Sequence, residues 1–420
     1  MRTAFLSQFP AGDYAPLPEA PVVRDGETYF IMSSIAAHID RFLPRAEPAP
    51  ARYVTVQRTL KADKIADIGK SPLANPYEIT GSFFRFCDPD PLPGLHTAFR
   101  VLANLAGVEA RQLYFRTTER LGLSAILGRC GIPRRQIITW STLKPLSLGP
   151  DRPSGEYVYI YAPHRHGFIP VAVLGFIPLP DGMAVDSAFF LERIAMMREN
   201  QLYPPTTSVF QALFAAIRET GELGQIAERE TYLWAYAFRA LVALFWDGAQ
   251  IGHRHSGHVV KKLVRELAAT LRGATLSQAS AASLTEAAIA GLRIFGYAID
   301  GGDAQRIGER LRDAINQASQ QIDREFGRLV AQGMGAPLQE ADLARLESER
   351  GLKREWVRAR LGLLLVPEHG LAAQPPLSIK HAAYPFAGKQ PVDILGILRG
   401  TEGDYRQRRS HAAFLGRPNA

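Results

Sequence analysis

"VDSAFFLERIAMM" (Val185–Met197) is the stretch on which the reading of this chain turns. An apolar, β-prone run ends in Asp186 and Ser187. It then becomes helical and brings in Glu192 and Arg193. Arg193 follows Phe189, Phe190 and Leu191 and precedes Ile194 and Ala195, where the chain is otherwise entering a core. A buried guanidinium needs an anion. Glu192 next door is one candidate and a ligand is the other.

Around that junction the first half of the chain reads as short strands bounded by Pro, Gly and Asp. They are "TYFIMSSI", "RYVTVQRTL", "EITGSFFRF", "ARQLYFRTT", "GEYVYIYA" and "IPVAVLGFI". Helices are expected at "TAFRVLANLAG" and "ERLGLSAILGRCG", the second ending at Gly131-Ile132-Pro133. Runs of strands with few crossover helices imply an α+β domain with a mainly antiparallel sheet. After "QLYPPTTS" the period changes. From "SVFQALFAAIRETG" to "AQRIGERLRDAINQASQQIDREFGRLVAQG", apolar residues recur at three- and four-residue spacing, the mark of amphipathic helices. The expected organisation is a mixed domain over 1–205, an all-α domain over 206–365 and a Pro/Gly/Arg-rich tail over 366–420.

At 420 residues, 46% hydrophobic and 21% charged, the chain resembles an ordinary globular protein. No apolar run reaches membrane-spanning length, and "MRTAFLSQFPAGDY" lacks a signal peptide's apolar stretch. A cytoplasmic protein without membrane partners is expected. Cys87 and Cys130 make no disulfide framework and no zinc signature. The net charge of +8 suits a polyanion such as RNA. "GHRHSGH" sets His253, His255 and His258 together, but without zinc spacing or a completing acid, so no metal site is expected there. His164 and His166 in "APHRHGF" are expected in a loop without a metal role. No phosphate-binding glycine loop, dinucleotide fingerprint or nucleophile elbow is present. What remains is charge placed on strands. "VQRTLKADK" carries Arg58, Lys61 and Lys64, and "YEITGSFFRF" carries Glu78 and Arg85. Such a hairpin can hold a triphosphate or simply face solvent.

The order of these pieces resembles the catalytic half of the class II alanyl-tRNA synthetases. "PLPEAPVVRDGETYFIMSSIAAHIDRFL" looks like the family's motif 1. "VQRTLKADKIADIG" and "YEITGSFFRF" look like motif 2, "GIPRRQII" is close to the family's "GIPxERI", and "VDSAFFLERIAMM" looks like motif 3, "VDTGMGLERIAAVLQ". "AYAFRALVALFWDGAQIGHRHSGHVVKKLVREL" and "GMGAPLQEADLARLESERGL" are similar to the helical domain that meets the tRNA acceptor stem.

The resemblance implies a ligase that uses ATP and Mg²⁺ to activate an amino acid as its adenylate, then passes the acyl group to a tRNA 3′ end or another acceptor. Arg193 would grip the γ-phosphate and Lys61 the α-phosphate, with Arg58 or Lys64 nearby and Glu78 as the motif 2 acid. Asp186 would receive the α-amino group. Phe189 and Phe190 replace Met-Gly of the family and would narrow the site toward a small amino acid, the family's own being alanine. His253, Arg254, Lys261, Lys262 and Arg265 would face RNA. Lys61 stands where the family has arginine, and His253 where it has a stem-reading asparagine. On length, the family's editing and C-terminal oligomerisation domains are expected to be missing. The alternative implied by these departures is a catalytically inactive paralogue acting as an RNA-binding or regulatory protein.

Overall fold

The computed structural model describes residues 1–23, 30–43, 50–69, 71, 73–140, 145–149, 152–165, 167–224, 226–331 and 340–360. His166 and the tail expected over 366–420 lie outside them. Among the described residues, nine strands form a sheet: β1 (Ala15–Pro16), β2 (Arg52–Leu60), β3 (Tyr77–Asp88), β4 (Tyr114–Thr117), β5 (Ile137–Thr139), β6 (Leu146–Ser147), β7 (Ser154–His164), β8 (Gly167–Leu179) and β9 (Gly182–Phe190). Their order is β1-β2-β3-β9-β8-β7-β4-β5, with β6 beside β7. β4–β7, β6–β7, β7–β8 and β8–β9 are antiparallel, and β4–β5 is parallel. The fold is α+β, a mixed sheet with helices and a helical region. Among the described residues, no helix is long and apolar enough to cross a membrane.

The chain divides into two compact units, and residues 1–205 contribute to both. The first unit takes Met1–His38, Val54–Ser82 and the described residues from Phe190 onward. Its helices follow the expected period. In Gly301–Ala331, Ile307, Leu311, Ile315, Ile322, Phe326 and Leu329 are buried at three-, four- and seven-residue steps, one stripe of a 3.6-residue helix. Helix Gln278–Arg293 comes so close to the preceding segment that a Cβ on Gly291 would sit 2.2 Å from the Val209 carbonyl oxygen. Only glycine allows that approach.

The second unit takes Ile39–Tyr53 and Phe83–Phe189. In β7 the period is two: Val158, Ile160 and Ala162 are fully buried, while Tyr157, Tyr159 and Tyr161 are half-buried on the opposite face. Helix Leu92–Ala106 lays Gly94 against Val185 of β9 and stops at Gly107, which takes a left-handed φ of 66°.

Two expectations about elements are corrected. "TYFIMSSI" is not a strand. Phe30 makes only an isolated bridge to Val23, and Ser34–Ala37 is a helical turn; Thr28 and Tyr29 lie outside the described residues. Its apolar residues are followed by alanines that favour helix. His164 closes β7 rather than sitting in a loop.

Candidate active site

β9 runs through Asp186 to Phe190, and the helix Leu191–Arg198 begins at the next residue. Asp186 therefore lies mid-strand, not at the strand end expected from the sequence, because the aromatic pair Phe189-Phe190 continues the β-prone run, and Arg193 is in the first turn of the helix. This separates the two charged residues into different surroundings.

In the first unit, the anion for Arg193 is not Glu192. Its Nη2 donates to Glu78 Oε1 at 2.5 Å, and Lys61 Nζ donates to Glu78 Oε2 at 2.6 Å. One carboxylate, on β3, thus answers two cations, one from the end of β2 and one from the helix. The Phe190 ring lies 5.1 Å from Lys61 Nζ and 4.2 Å from the Arg193 guanidinium carbon. Successive side chains on a helix diverge by about 100°, so Glu192 cannot share Arg193's direction. It turns into the core, where it lies 2.7 Å from Arg239 Nη2 and accepts from Asn75 Nδ2 at 3.0 Å. Arg239 is 1% exposed and stacks near Tyr77 and Phe210, its guanidinium carbon 5.1 and 4.9 Å from their rings. It leads helix Arg239–Trp246, directly after a π-helical turn over Trp234–Phe238.

The electrostatics differ between the two acids. Burial pushes the Glu78 carboxyl up, but Arg193 and Lys61, as charges and as hydrogen-bond donors, outweigh it and hold it below the usual carboxylate range. Burial raises Glu192, the nearby Glu78 charge adds to the rise, and Arg239 offsets only part of it. Leu73, Asn75, Glu78, Glu192, Arg193, Phe210 and Tyr236 help to line a cavity of about 20 Å³, room for a water molecule.

Arg58 belongs to a neighbouring structural cluster. Its Nε donates to Glu19 Oε1 at 2.7 Å, its Nη2 lies 2.9 Å from Asp247 Oδ1, and its guanidinium carbon is 4.8 and 5.1 Å from the rings of Trp246 and Tyr297. The backbone N–H of Val22 donates to Asp247 Oδ2 at 2.7 Å. Arg58 thus ties the Pro-rich entry segment to β2 and to the helical region. Lys64 is exposed, 3.6 Å from Asp63. Neither joins the Lys61–Glu78–Arg193 group.

In the second unit, the cross-strand register puts Asp186, Gly175 and Tyr157 in line on one sheet face. Asp186 is 7% exposed, and its Oδ1 has no hydrogen-bond partner. Burial drives its carboxyl well above the ordinary range, opposed only by the Ser187 backbone N–H. At neutral pH the carboxyl is held toward its uncharged form, and an incoming ammonium group would reverse that. Phe189 points to the opposite face, fully buried, its ring 6.0 Å from Phe83.

Of the residues expected to face RNA, His253, Arg254 and Lys262 are exposed around the start of helix His255–Thr270. Lys261 Nζ lies 3.3 Å from His253 Nδ1. Arg265 is occupied elsewhere: its Nη2 donates to the Gly351 carbonyl at 3.0 Å, and its guanidinium carbon is 5.9 Å from the Trp356 ring. Among the described residues, no group of three or more His, Cys, Asp or Glu is placed to hold a metal.

No protein-family model matches this chain, and no curated protein matches it. Among solved structures, it is similar to the apo crystal structure of S. aureus histidyl-tRNA synthetase. The TM-score is 0.31 and the identity 10%, over 44% of this chain and 61% of that one. The chain therefore spans about three fifths of that structure's length.

Sequence reasoning missed Phe190 as the ring over both cations, and Arg239 and Asp247 as buried charges. The signal for Arg239 was present: a lone arginine inside "AYAFRALVALFW" has to be buried. Asp247 carried no such mark, since "WDG" reads as a helix end.

Proposed function

We propose that this chain is an ATP-dependent ligase that activates an amino acid as its adenylate and passes the acyl group to a tRNA 3′ end or another acceptor. The observation that carries the reading is the Lys61–Glu78–Arg193 group under the Phe190 ring. It is a fixed, partly accessible pair of cations at a strand-to-helix junction, in the order the alanyl-type motifs require. The lysine and arginine side chains keep 32% and 15% of their surface, so both can be reached. Glu78 holds them in place until phosphate oxygens replace it.

In this reading the amino-acid carboxylate attacks the α-phosphorus. A C–O–P anhydride forms, the bond to the bridging oxygen breaks, and pyrophosphate leaves with its electron pair. Arg193 takes the γ-phosphate and Lys61 the α-phosphate, so charge moves between oxygens already facing fixed cations. Mg²⁺ would come with ATP and neutralise phosphate charge; Glu78 and Glu192, the acids beside Arg193, each already answer an arginine. Asp186, seven residues before Arg193 in one continuous segment, takes the α-amino group. The region 206–365 serves as the acceptor-binding part, through His253, Arg254 and Lys262. Contacts of that kind carry affinity more than identity.

ATP–pyrophosphate exchange across a panel of amino acids tests the proposal. Exchange with one amino acid, reduced at least a hundredfold by Arg193→Ala, is expected. No exchange with any amino acid, with and without tRNA, would sink it. The second reading, an RNA-binding or regulatory paralogue without activation, is favoured by one observation. Both cations are already paired with Glu78, beside a cavity of only about 20 Å³. RNA binding that survives Arg193→Ala, with no ATP binding by the parent protein, is its signature.

A further inference from the structure

The half-exposed face of the second unit's sheet carries an arginine that the proposed activation does not use. Arg116 on β4 is in register with Tyr159 on β7 and Ile138 on β5. Trp140, two residues beyond Ile138, comes to the same side. The Arg116 guanidinium carbon lies 4.6 Å from the Trp140 ring, 4.5 Å from Tyr159 and 5.8 Å from Tyr161. The cation therefore sits close over two aromatic rings, with a third farther off.

What the cluster lacks is an acceptor. Among the described residues, Arg116 has no ion pair and no hydrogen bond, and its Nε is buried without a partner. The indole Nε1 of Trp140 is also buried without one. Aromatic faces attract a cation, but they supply no lone pairs for its five N–H donors. Two buried, unmatched donors in one cluster are an unusual arrangement in a folded protein. Both call for the same chemistry, an oxygen acceptor, and Arg116 adds a full positive charge. Arg135, whose charge is felt at Tyr114 on this same face, adds a second. The described acid on this face, Asp186, lies three strands away, about 14 Å at ~4.8 Å per strand.

We propose that Arg116, with Trp140 and Tyr159 as its walls, is a carboxylate-binding site. A planar carboxylate matches the edge of a guanidinium held close to rings and can accept two parallel N–H bonds from it. Two sources share this chemistry: a distal carboxylate on the amino-acid substrate, or a separate small organic acid. A ligand that also reached Asp186 would have to be longer than a standard amino acid, given the three-strand separation.

Direct binding tests the site, with the full chain and without ATP. Succinate, L-glutamate, L-alanine and inorganic phosphate are titrated by calorimetry, while the Arg116 Nε–H resonance is followed by NMR. Succinate or L-glutamate is expected to bind and to shift that resonance. Arg116→Gln is expected to weaken binding at least tenfold, and Arg116→Lys to restore only part, because lysine lacks the planar fork. Asp186→Asn separates the sources, with the longer γ-L-glutamyl-L-glutamate added to the titrations: it weakens that ligand and not succinate if the carboxylate belongs to an extended amino-acid substrate, and neither if it does not. Both of those results support the site. Circular dichroism and thermal unfolding of Arg116→Gln check that the variant is folded; if it is not, the resonance shift in the parent protein decides. Carboxylate binding that is absent, or unchanged in a folded Arg116→Gln, overturns the proposal, and so does binding of phosphate alone. Because binding is read directly, a failure of amino-acid activation is a separate result and leaves this site standing or falling by itself.

Discussion

Replacing Glu78 by Gln removes the one negative charge that Lys61 and Arg193 share, with almost no change of shape. The carboxylate side chain keeps only 5% of its surface, and its two charge-assisted bonds are 2.6 and 2.5 Å long. Breaking a buried ion pair costs about 3–5 kcal/mol. Three features lower that figure here. Lys61 and Arg193 can rehydrate through their exposed surface. The glutamine oxygen still accepts one bond. The charge of Glu78 also disfavours ionised Glu192, and that repulsion disappears. A loss of about 2 kcal/mol at pH 7 is expected, measured by urea unfolding. The pH dependence has a definite sign. The folded-state pKa of Glu78 lies below its unfolded value, so its stabilisation is fully present above the unfolded value, about 4.3. It is lost as pH falls through the folded value. The gap between parent and Glu78→Gln should be flat from pH 7 to about 5 and shrink below that. A gap under about 0.5 kcal/mol at pH 7, or one that widens in acid, would refute the account of a single carboxylate binding two cations.

Arg58→Ala leaves Glu19 and Asp247 facing each other in the core and should cost about 3–5 kcal/mol in chemical unfolding, with little of it recovered by added nucleotide. A cost below 1 kcal/mol would mean those acids rehydrate freely. Asp186→Asn is expected to stabilise the protein at pH 7, by about 1 kcal/mol or more. A raised folded-state pKa means that the parent loses stability as pH rises from the unfolded value, about 3.9, toward the folded one. The two proteins should converge near pH 3, about a unit below the unfolded value; a less stable variant at pH 7 would contradict the unpartnered buried acid. Gly291→Ala drives a methyl group into the Val209 carbonyl, a backbone atom that cannot step aside, so a loss of about 2 kcal/mol or more is expected by thermal unfolding. A neutral result would show that the preceding segment yields easily.

Much of the fold was legible because it depends on local period. The two-residue alternation of "GEYVYIY" and the three- and four-residue spacing in "AQRIGERLRDAIN" each report which face is buried, and those elements formed where expected. "TYFIMSSI" failed because its apolar residues are too few to choose between a strand and a helical turn, and neighbours chose for it. At the site, residue types were legible and partners were not. That Arg193 needs an anion followed from its apolar neighbours. That the anion is Glu78, one hundred and fifteen residues away in sequence, did not.

The sequence by itself determined the α+β class, the change to helix after about residue 205, a strand-to-helix junction within Val185–Met197 and the presence of charges inside apolar runs. These follow from side-chain period and from the cost of burying a lone charge, which are properties of neighbours along the chain. Only the tertiary structure decided which charge answers which. It gave Glu78 to Arg193 and Lys61, Glu192 to Arg239, and Glu19 with Asp247 to Arg58, and it left Asp186 and Arg116 without a counter-charge among the described residues. The physical reason is that an ion pair is fixed by distance in space. In this chain that distance is set by strand order and by the direction in which each side chain leaves its helix or strand.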